Sequence, residues 1–211
     1  MDETPEVVVL RLGHRPGRDE RMTTHVGLTA RALGADRVLF PENAAGSRET
    51  VVDITDRFGG PFEAALTDSP MRIVRDWDGR VVHLTMYGLP IQDVEAEIRR
   101  SYRGPDGDDH RNGEALLVVV GSEKVPFEVY EAADWNVGVT NQPHSEVAGL
   151  AVFLDRLFEG GELDREWRGA DRRVVPKATG KLVEPAESTG GEPATSQSDD
   201  VESVGDDSDG Q

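Results

Sequence analysis

The chain has 211 residues, enough for one domain with a substantial core, and it carries 41 acidic residues against 23 basic ones. The absence of cysteine excludes a disulfide framework and a thiolate metal site. No apolar run approaches the roughly 20 residues that span a membrane, and the acidic N-terminus does not resemble a signal peptide. We therefore expect a soluble cytoplasmic protein.

The formal net charge of −18 is unusual for a chain of this length, and only Lys124, Lys177 and Lys181 are lysines. One interpretation is an acidic protein that avoids nucleic acid. The other, which we favour, is adaptation to a salty, halophilic cytoplasm, where a carboxylate-rich surface stays hydrated and salt screens self-repulsion. In that case the net charge says little about whether the natural partner is a polyanion.

The first elements follow from apolar runs and capping residues. Val7 to Leu12 is apolar without alternation, which predicts a buried parallel strand. Residues 13–21 form a polar loop. Thr23 or Thr24 is predicted to cap the helix that follows, and Gly34 to end it.

The next part of the chain predicts one strand, one helix and a hairpin. Residues 38–40 are a second strand, and Ser47 is expected to cap a helix that ends at Gly59-Gly60. Arg72 to Trp77 and Arg80 to Met86 flank Asp78-Gly79, which is a strong signal for a two-residue β-hairpin.

The second half alternates helices and strands. A helix is predicted over residues 91–101 and a surface loop over 103–113, which is rich in Gly and Asp. Leu116 to Val120 is the most apolar strand and is expected at the centre of the sheet. Ser145 is predicted to cap a helix to about Glu159 that is apolar nearly all round, so it is buried on more than one side, one of them a candidate subunit interface.

These elements predict an α/β fold with a mostly parallel sheet flanked by helices, over residues 1–176. Residues 177–211 contain nine acids, two lysines and no aromatic residue, and we expect a disordered acidic tail. A solvating role in salt is the favoured interpretation of the tail, and a binding role is the alternative.

Two polar loops follow strands and precede helices, where α/β proteins bind ligands. They are Gly121 to Pro126 (GSEKVP) and Thr140 to Glu146 (TNQPHSE). The first lacks the glycine and the Ser/Thr of a phosphate loop, which excludes that motif. In the second, His144 is a candidate general base, although a structural hydrogen bond is the more common role.

The arginine loop contains Arg15, Arg18 and Arg21, a local excess of positive charge in an acidic chain. Arginine matches phosphate geometry bidentately, so the loop is a candidate for anion contact. The alternative is a solvated loop in which the arginines pair with Asp19 and Glu20. The five histidines show no metal-ligand spacing, and we expect no metal site.

Four stretches together resemble one family. They are residues 10–36 (LRLGHRPGRDERMTTHVGLTARALGAD), 83–88 (HLTMYG), 121–126 (GSEKVP) and 136–160 (NVGVTNQPHSEVAGLAVFLDRLFEG). The family is the archaeal tRNA (cytidine-56) 2′-O-methyltransferases, of the SPOUT class. The resemblance covers roughly residues 7–175 and takes in several long motifs in order.

The resemblance implies a C-terminal deep trefoil knot, a homodimer and S-adenosylmethionine as cofactor, bound in a bent shape by the knot loops. No periodicity in the sequence predicts a knot, because true knots are very rare. The cofactor-binding residues that it implies lie in three loops: Leu84, Gly121, Ser122, Glu123, Lys124, Val125, Val139, Thr140, Asn141, Gln142, Pro143, His144, Ser145 and Glu146.

The resemblance also implies a tRNA substrate and 2′-O-methylation of cytidine 56 in the T-loop. The ribose hydroxyl must lose a proton as it attacks the methyl group. Arg21 and Arg18 are the candidate catalytic residues, although a substrate phosphate could accept the proton instead. Arg15 and Arg18 are the candidate RNA-binding residues.

In molar salt, RNA binding must depend on hydrogen bonds and stacking more than on charge, with Trp77, Trp135 or Trp167 as stacking candidates. This predicts a shallow salt dependence of tRNA binding. The competing hypotheses are a SPOUT methyltransferase that acts on another RNA site and a non-catalytic knotted RNA-binding protein.

Overall fold

The structure is a computed structural model that describes residues 4–104, 112–122 and 124–186. Its main sheet has six strands, all parallel, in the order β3-β2-β1-β5-β4-β6. The strands are β1 (Val7–Leu12), β2 (Arg37–Pro41), β3 (Glu63–Thr67), β4 (Arg80–Pro90), β5 (Leu116–Gly121) and β6 (Trp135–Gly138). The mostly parallel α/β fold expected from the sequence is thereby confirmed.

Helices cover both faces of this sheet. They are α1 (Glu20–Ala32), α2 (Ala45–Phe58), α3 (Pro70–Arg75), α4 (Ile91–Arg103), α5 (Phe127–Ala132) and α6 (Glu146–Phe158). Side chains of α1, α2, α4 and α6 join the larger of two core clusters, and those of α3 and α5 join the smaller. No helix of the described residues combines the length and the apolar character needed to cross a membrane.

The central strands are buried on both faces. Val7 and Val9 of β1 face the larger cluster, and Val8 and Leu10 face the smaller one. Each strand therefore needs an uninterrupted apolar run, as parallel strands between two helical layers do. The strand predicted over residues 116–120 lies between β1 and β4 in the middle of the sheet, as expected.

Two of the predicted helix caps are wrong. Helix α1 begins at Glu20, and Thr23 lies inside it, where its buried hydroxyl is 2.9 Å from Nδ1 of His14. Ser47 likewise lies inside α2 and donates to the carbonyl of Glu20. Both hydroxyls satisfy contacts between neighbouring elements instead of helix ends. In contrast, Ser145 caps α6 as expected, because its side chain accepts a hydrogen bond from the amide of Val147.

The hairpin predicted around Asp78-Gly79 is also wrong. Residues 70–75 form helix α3, which starts with Pro70, and β4 pairs in parallel with β5 and β6. The turn therefore joins a helix to a strand. Strand β3 was not predicted, because it lies at the edge of the sheet and most of its residues are only half-buried or exposed.

Helix α6 packs against α1, α4 and the sheet, so it is buried on more than one side. The tail predicted from Lys177 begins differently, because Leu182–Pro185 form β8, which pairs with β7 (Arg172–Val175) in an antiparallel hairpin. The acidic composition of the longer segment had obscured this short apolar run. Residues 187–211 of the predicted tail lie outside the described residues, as do 105–111 of the predicted loop.

Candidate functional site

The carboxyl ends of β4, β5 and β6 carry two adjoining cavities. The first, which we call the α6-side cavity, has a volume of about 280 Å³. The second, the α5-side cavity, has a volume of about 550 Å³. Leu84, Thr85 and Gly121 line both of them, so the two cavities share a wall. Strand ends of a parallel sheet are the usual location for a ligand.

The α6-side cavity brings together the two loops that the sequence singled out and part of strand β4. Seven of the predicted cofactor-binding residues line it: Leu84, Gly121, Ser122, Val139, Pro143, His144 and Glu146. Val120 and Val137 extend its apolar wall. The hydroxyl of Ser122 is buried and has no hydrogen-bond partner among the described residues. This arrangement suits a ligand with a flat apolar part and polar ends.

The α5-side cavity is lined by Lys124 and Val125, both predicted from the sequence, and by His83, which was not. His83 is fully buried, and its Nδ1 lies 2.9 Å from the amide oxygen of Asn136. The ring of Tyr130 meets it edge-on at 4.6 Å. Burial lowers the pKa of His83 and so favours the neutral imidazole, while the hydrogen bond to the amide oxygen of Asn136 acts in the opposite direction.

Four of the predicted cofactor-binding residues line neither cavity: Thr140, Asn141, Gln142 and Ser145. Asn141 has a structural contact instead, since its amide donates to the carbonyls of Met86 and Gly88 at 2.8 and 2.9 Å. It thereby holds the loop after β6 against the arm that ends β4. Glu123, the remaining predicted residue, lies outside the described residues.

Arg11 is part of this site, and the sequence reasoning missed it. Its side chain is fully buried, donates to the carboxylate of Glu146 at 2.9 Å and to the carbonyl of Gly121 at 3.2 Å. These bonds tie the end of β1 to the end of β5 and to the first turn of α6. An arginine in the otherwise apolar run VVVLRL is the signal that could have revealed a buried ion pair.

The arginine loop is more ordered than its composition suggests. The guanidinium of Arg15 donates two hydrogen bonds of 2.9 Å to the carboxylate of Asp19. This hydrogen bonding lowers the pKa of Asp19 to about 2. Arg15 also lies 3.5 Å from the carbonyl of Ser122 at the rim of the α6-side cavity. The pairing of Arg15 with Asp19 is the alternative that the sequence left open.

Arg18 and Arg21 are exposed, and neither lines the two cavities. The first turn of α1 nevertheless approaches the site, because the Sδ of Met22 lies 3.9 Å from the hydroxyl of Ser145. Arg21, the neighbour of Met22, therefore stands close to the loop that joins β6 to α6. The positive charge of both side chains is available to an approaching anion.

The three tryptophans differ in accessibility. Trp77 packs against the smaller core cluster and Trp135 against the larger one. Trp167 is 38% exposed. Trp77 and Trp135 are half-buried, and Trp135 also lines a separate surface cavity with Arg80, Glu97 and Arg100. Of the three stacking candidates, Trp167 is the most exposed.

The chain is similar to known proteins of one family. A family model for tRNA ribose 2′-O-methyltransferase, aTrm56, matches residues 58–184. The chain is 68% identical over 183 residues to the tRNA (cytidine(56)-2′-O)-methyltransferase of Haloarcula marismortui, covering 87% of this chain and 97% of that protein. It is 71% identical over 182 residues to the protein of the same name from Natronomonas pharaonis, covering 86% and 96%.

A solved structure described as an RNA 2′-O ribose methyltransferase has the same fold, with a TM-score of 0.51 and 14% identity. The match covers 75% of this chain and 58% of that one, so it concerns the fold alone. The family model, which spans more than half of the chain, and the two relatives, which are similar along almost their whole length, lead to one conclusion. The chain belongs to the aTrm56 family of tRNA ribose 2′-O-methyltransferases.

Proposed function

We propose that this chain transfers the methyl group of S-adenosylmethionine to the 2′-oxygen of cytidine 56 in tRNA. The observation that carries the proposal is the convergence of three strand-end loops around the α6-side cavity, in a chain of this family. The relatives from Haloarcula marismortui and Natronomonas pharaonis carry the corresponding name.

The residues of the α6-side cavity fit the cofactor. Leu84, Val137 and Val139 offer an apolar wall for the adenine, while the unpartnered hydroxyl of Ser122 and the carboxylate of Glu146 offer polar contacts. When bound, the cofactor supplies an electrophilic methyl group: an O–C bond forms to the ribose as the C–S bond breaks. Arg11 keeps Glu146 and the Gly121 carbonyl in place, because it bonds to both.

The arginines at the start of α1 assist the ribose hydroxyl. Its proton must leave as the new bond forms, and a nearby positive charge stabilises the oxygen that develops negative charge. Arg21 takes this role, because it neighbours Met22, which contacts Ser145 in the same loop as the cavity-lining residues Pro143 and His144. Arg18 acts with it, and Arg15 and Arg18 contact the phosphates. Arginine itself is a poor base, so a substrate phosphate accepts the proton.

The knot and the homodimer belong to the same proposal. Asn141 holds the chain after β6 against the carbonyls of Met86 and Gly88, as expected if this segment passes through the loop formed earlier in the chain. Helix α6 leaves Val152 41% exposed on its outer face, which a second copy would cover. The cytoplasmic location stays a prediction from the sequence.

The test is a methyl-transfer assay in concentrated KCl with labelled S-adenosylmethionine and unmodified archaeal tRNA, with the modified nucleotide mapped. We expect label as 2′-O-methylcytidine in the T-loop. Arg21→Ala should lower kcat by roughly 10²- to 10³-fold, because one stabilising positive charge is lost. Arg72→Ala, on the exposed surface of α3, is the matched control and should retain activity.

Two outcomes would contradict the proposal. Label at another nucleotide would keep the enzyme class and change the substrate. Absence of transfer, together with a thermal shift on addition of S-adenosylmethionine, would indicate a non-catalytic binding protein. We also expect the affinity for tRNA to fall only shallowly with added KCl, since stacking and hydrogen bonds carry the binding, and a steep loss would contradict that expectation.

A further inference from the structure

A third cavity, with a volume of about 590 Å³, lies between helices α1 and α2 and the β7–β8 hairpin. We call it the hairpin cavity. Helix α1 begins at the carboxyl edge of the sheet and runs away from it, so Arg31 in its last turn lies far from the cofactor cavities. None of the residues discussed above for the cofactor, the catalytic step or the arginine loop lines this cavity.

The charged residues that line the hairpin cavity are positive, although the chain as a whole is acidic. Arg31, Arg172 and Arg173 line it, and none of its lining residues is acidic within the described part of the chain. Arg172 and Arg173 are exposed, and Arg173 has one loose ion pair of 3.5 Å, with Glu184. In a chain of net charge −18, this local excess of arginine selects an anionic partner.

Trp167 and Phe58 form an aromatic wall of the cavity, and contacts with neighbouring residues fix Trp167 in place. The guanidinium of Arg31 lies 4.4 Å from the centroid of the Trp167 ring and donates to the carbonyl of Gly59 at 2.6 Å. Arg31 is buried, and its Nε has no partner among the described residues. The indole packs on Gly60, where a side-chain carbon would come within 2.9 Å of it. Trp167 is thus held in place while 38% of it stays exposed.

We propose that the hairpin cavity binds an unpaired nucleotide of the RNA substrate, away from the methylated ribose. The base stacks against Trp167 and Phe58, and Arg172 and Arg173 contact its phosphates. This inference rests on the proposed function, which supplies the RNA. Every base has a π-face, and aromatic side chains combined with arginine are the usual components of single-strand RNA sites. Stacking also persists in concentrated salt, where phosphate contacts weaken.

The other anionic candidate is the chain's own acidic segment. Ala186 lines the cavity, and residues 187–211 follow it directly with eight acids and no basic residue. That segment contains no aromatic group to match the indole and phenyl surfaces. The aromatic wall therefore favours RNA, and the acidic segment becomes an outcome of the test.

The experiment measures tRNA binding and methyl transfer by the full-length protein in KCl. We expect Trp167→Ala to raise both Kd and KM for tRNA by roughly 5- to 100-fold. The kcat at saturating tRNA and the Kd of S-adenosylmethionine should not change. Trp167→Phe should restore most of the affinity, because it retains an aromatic face. Melting curves of both variants establish that they are folded.

The arginines provide a second, independent readout at exposed positions. Arg172→Ser with Arg173→Ser should reduce the slope of log K against log salt by about one to two. Arg168→Ser is the matched control, since Arg168 is 88% exposed, pairs with Glu166 and does not line the cavity. Its salt slope should equal that of the parent protein.

The proposal is overturned if Trp167→Ala binds tRNA within two-fold of the parent. It is also overturned if Trp167→Ala and removal of residues 187–211 each tighten tRNA binding and their combination tightens it no further, because the cavity then holds the acidic segment. Because tRNA binding is measured without cofactor, this proposal and the proposed function can fail separately. If the tRNA affinity depends on Trp167 but no tRNA is methylated, the nucleotide site in the hairpin cavity is supported and the proposed methyltransferase activity is rejected.

Discussion

The buried ion pair between Arg11 and Glu146 allows a quantitative prediction. Arg11 is fully buried, and the side chain of Glu146 is 27% exposed, so the two ends differ in access to water. Glu146→Gln removes the counter-ion and leaves a buried positive charge. Breaking a buried pair in this way typically costs 3 to 5 kcal/mol. We expect Glu146→Gln to lower the free energy of unfolding by about 3 kcal/mol, the low end of this range, because water reaches the side of the pair where Glu146 lies.

Arg11→Met should cost less than Glu146→Gln. The carboxylate that it leaves behind faces the cavity, where water can hydrate it, and methionine fills part of the buried space. The double variant should be no less stable than Glu146→Gln alone, because no unpaired buried charge remains. The coupling between the two positions is then about 1.5 to 3 kcal/mol, as for hydrogen bonds between charged groups.

The assay is urea unfolding in concentrated KCl, with the four proteins of the double-mutant cycle compared at one salt concentration. The control cycle uses Arg75 and Glu128, an ion pair of 3.2 Å in which both side chains are at least half exposed. Its coupling should be about 0 to 1 kcal/mol. If the effects of the Arg11 and Glu146 substitutions on the free energy of unfolding are additive within about 0.5 kcal/mol, the ion pair does not couple the end of β1 to the start of α6.

Two further predictions concern the same end of the sheet. Burial lowers the pKa of His83 below its usual value of 6.5, so protonation on acidification favours the unfolded state over the folded one. The contribution of His83 to stability should therefore be full above pH 6.5 and be lost as the pH decreases through the folded pKa. In thermal melts at a series of pH values, His83→Asn should flatten this decline in stability. An unchanged dependence of the melting temperature on pH would contradict the prediction. Gly88→Ala should destabilise the protein by about 1 to 3 kcal/mol, because a side-chain carbon there would collide with the backbone of Asn136. Gly46→Ala, where the added carbon meets open space, is the matched control in thermal melts, and equal losses for both would show that packing at Gly88 is not the cause.

Local signals in the sequence determined much of the fold. The apolar runs of β1 and β5 predicted buried parallel strands, because a strand between two helical layers must be apolar on both faces. Ser145 predicted the start of α6, and Gly34 and Gly59 the ends of α1 and α2, since caps depend on a few adjacent residues. The two polar loops after strands also predicted the neighbourhood of the site.

Local signals failed where two alternatives look alike in sequence. Asp78-Gly79 favours a tight turn in either case, and only the pairing of β4 with β5 and β6 decided that it joins a helix to a strand. Thr23 and Ser47 resemble helix caps, yet their hydroxyls bond to neighbouring elements inside the fold. The edge strand β3 was missed because an edge needs little apolar character.

The relations that define the sites were decided by tertiary structure alone. Arg11 and Glu146 are 135 positions apart in the chain, and no spacing rule connects them. The sequence offered three tryptophans as equals. Only the tertiary structure showed that Trp167 lies against Arg31 and is the most exposed of them, while the other two are half-buried against the core clusters. The sequence thus determined which residues form strands, caps and loops, because those depend on neighbours. Which buried charges pair, and which aromatic faces stay open, depended on contacts between distant segments.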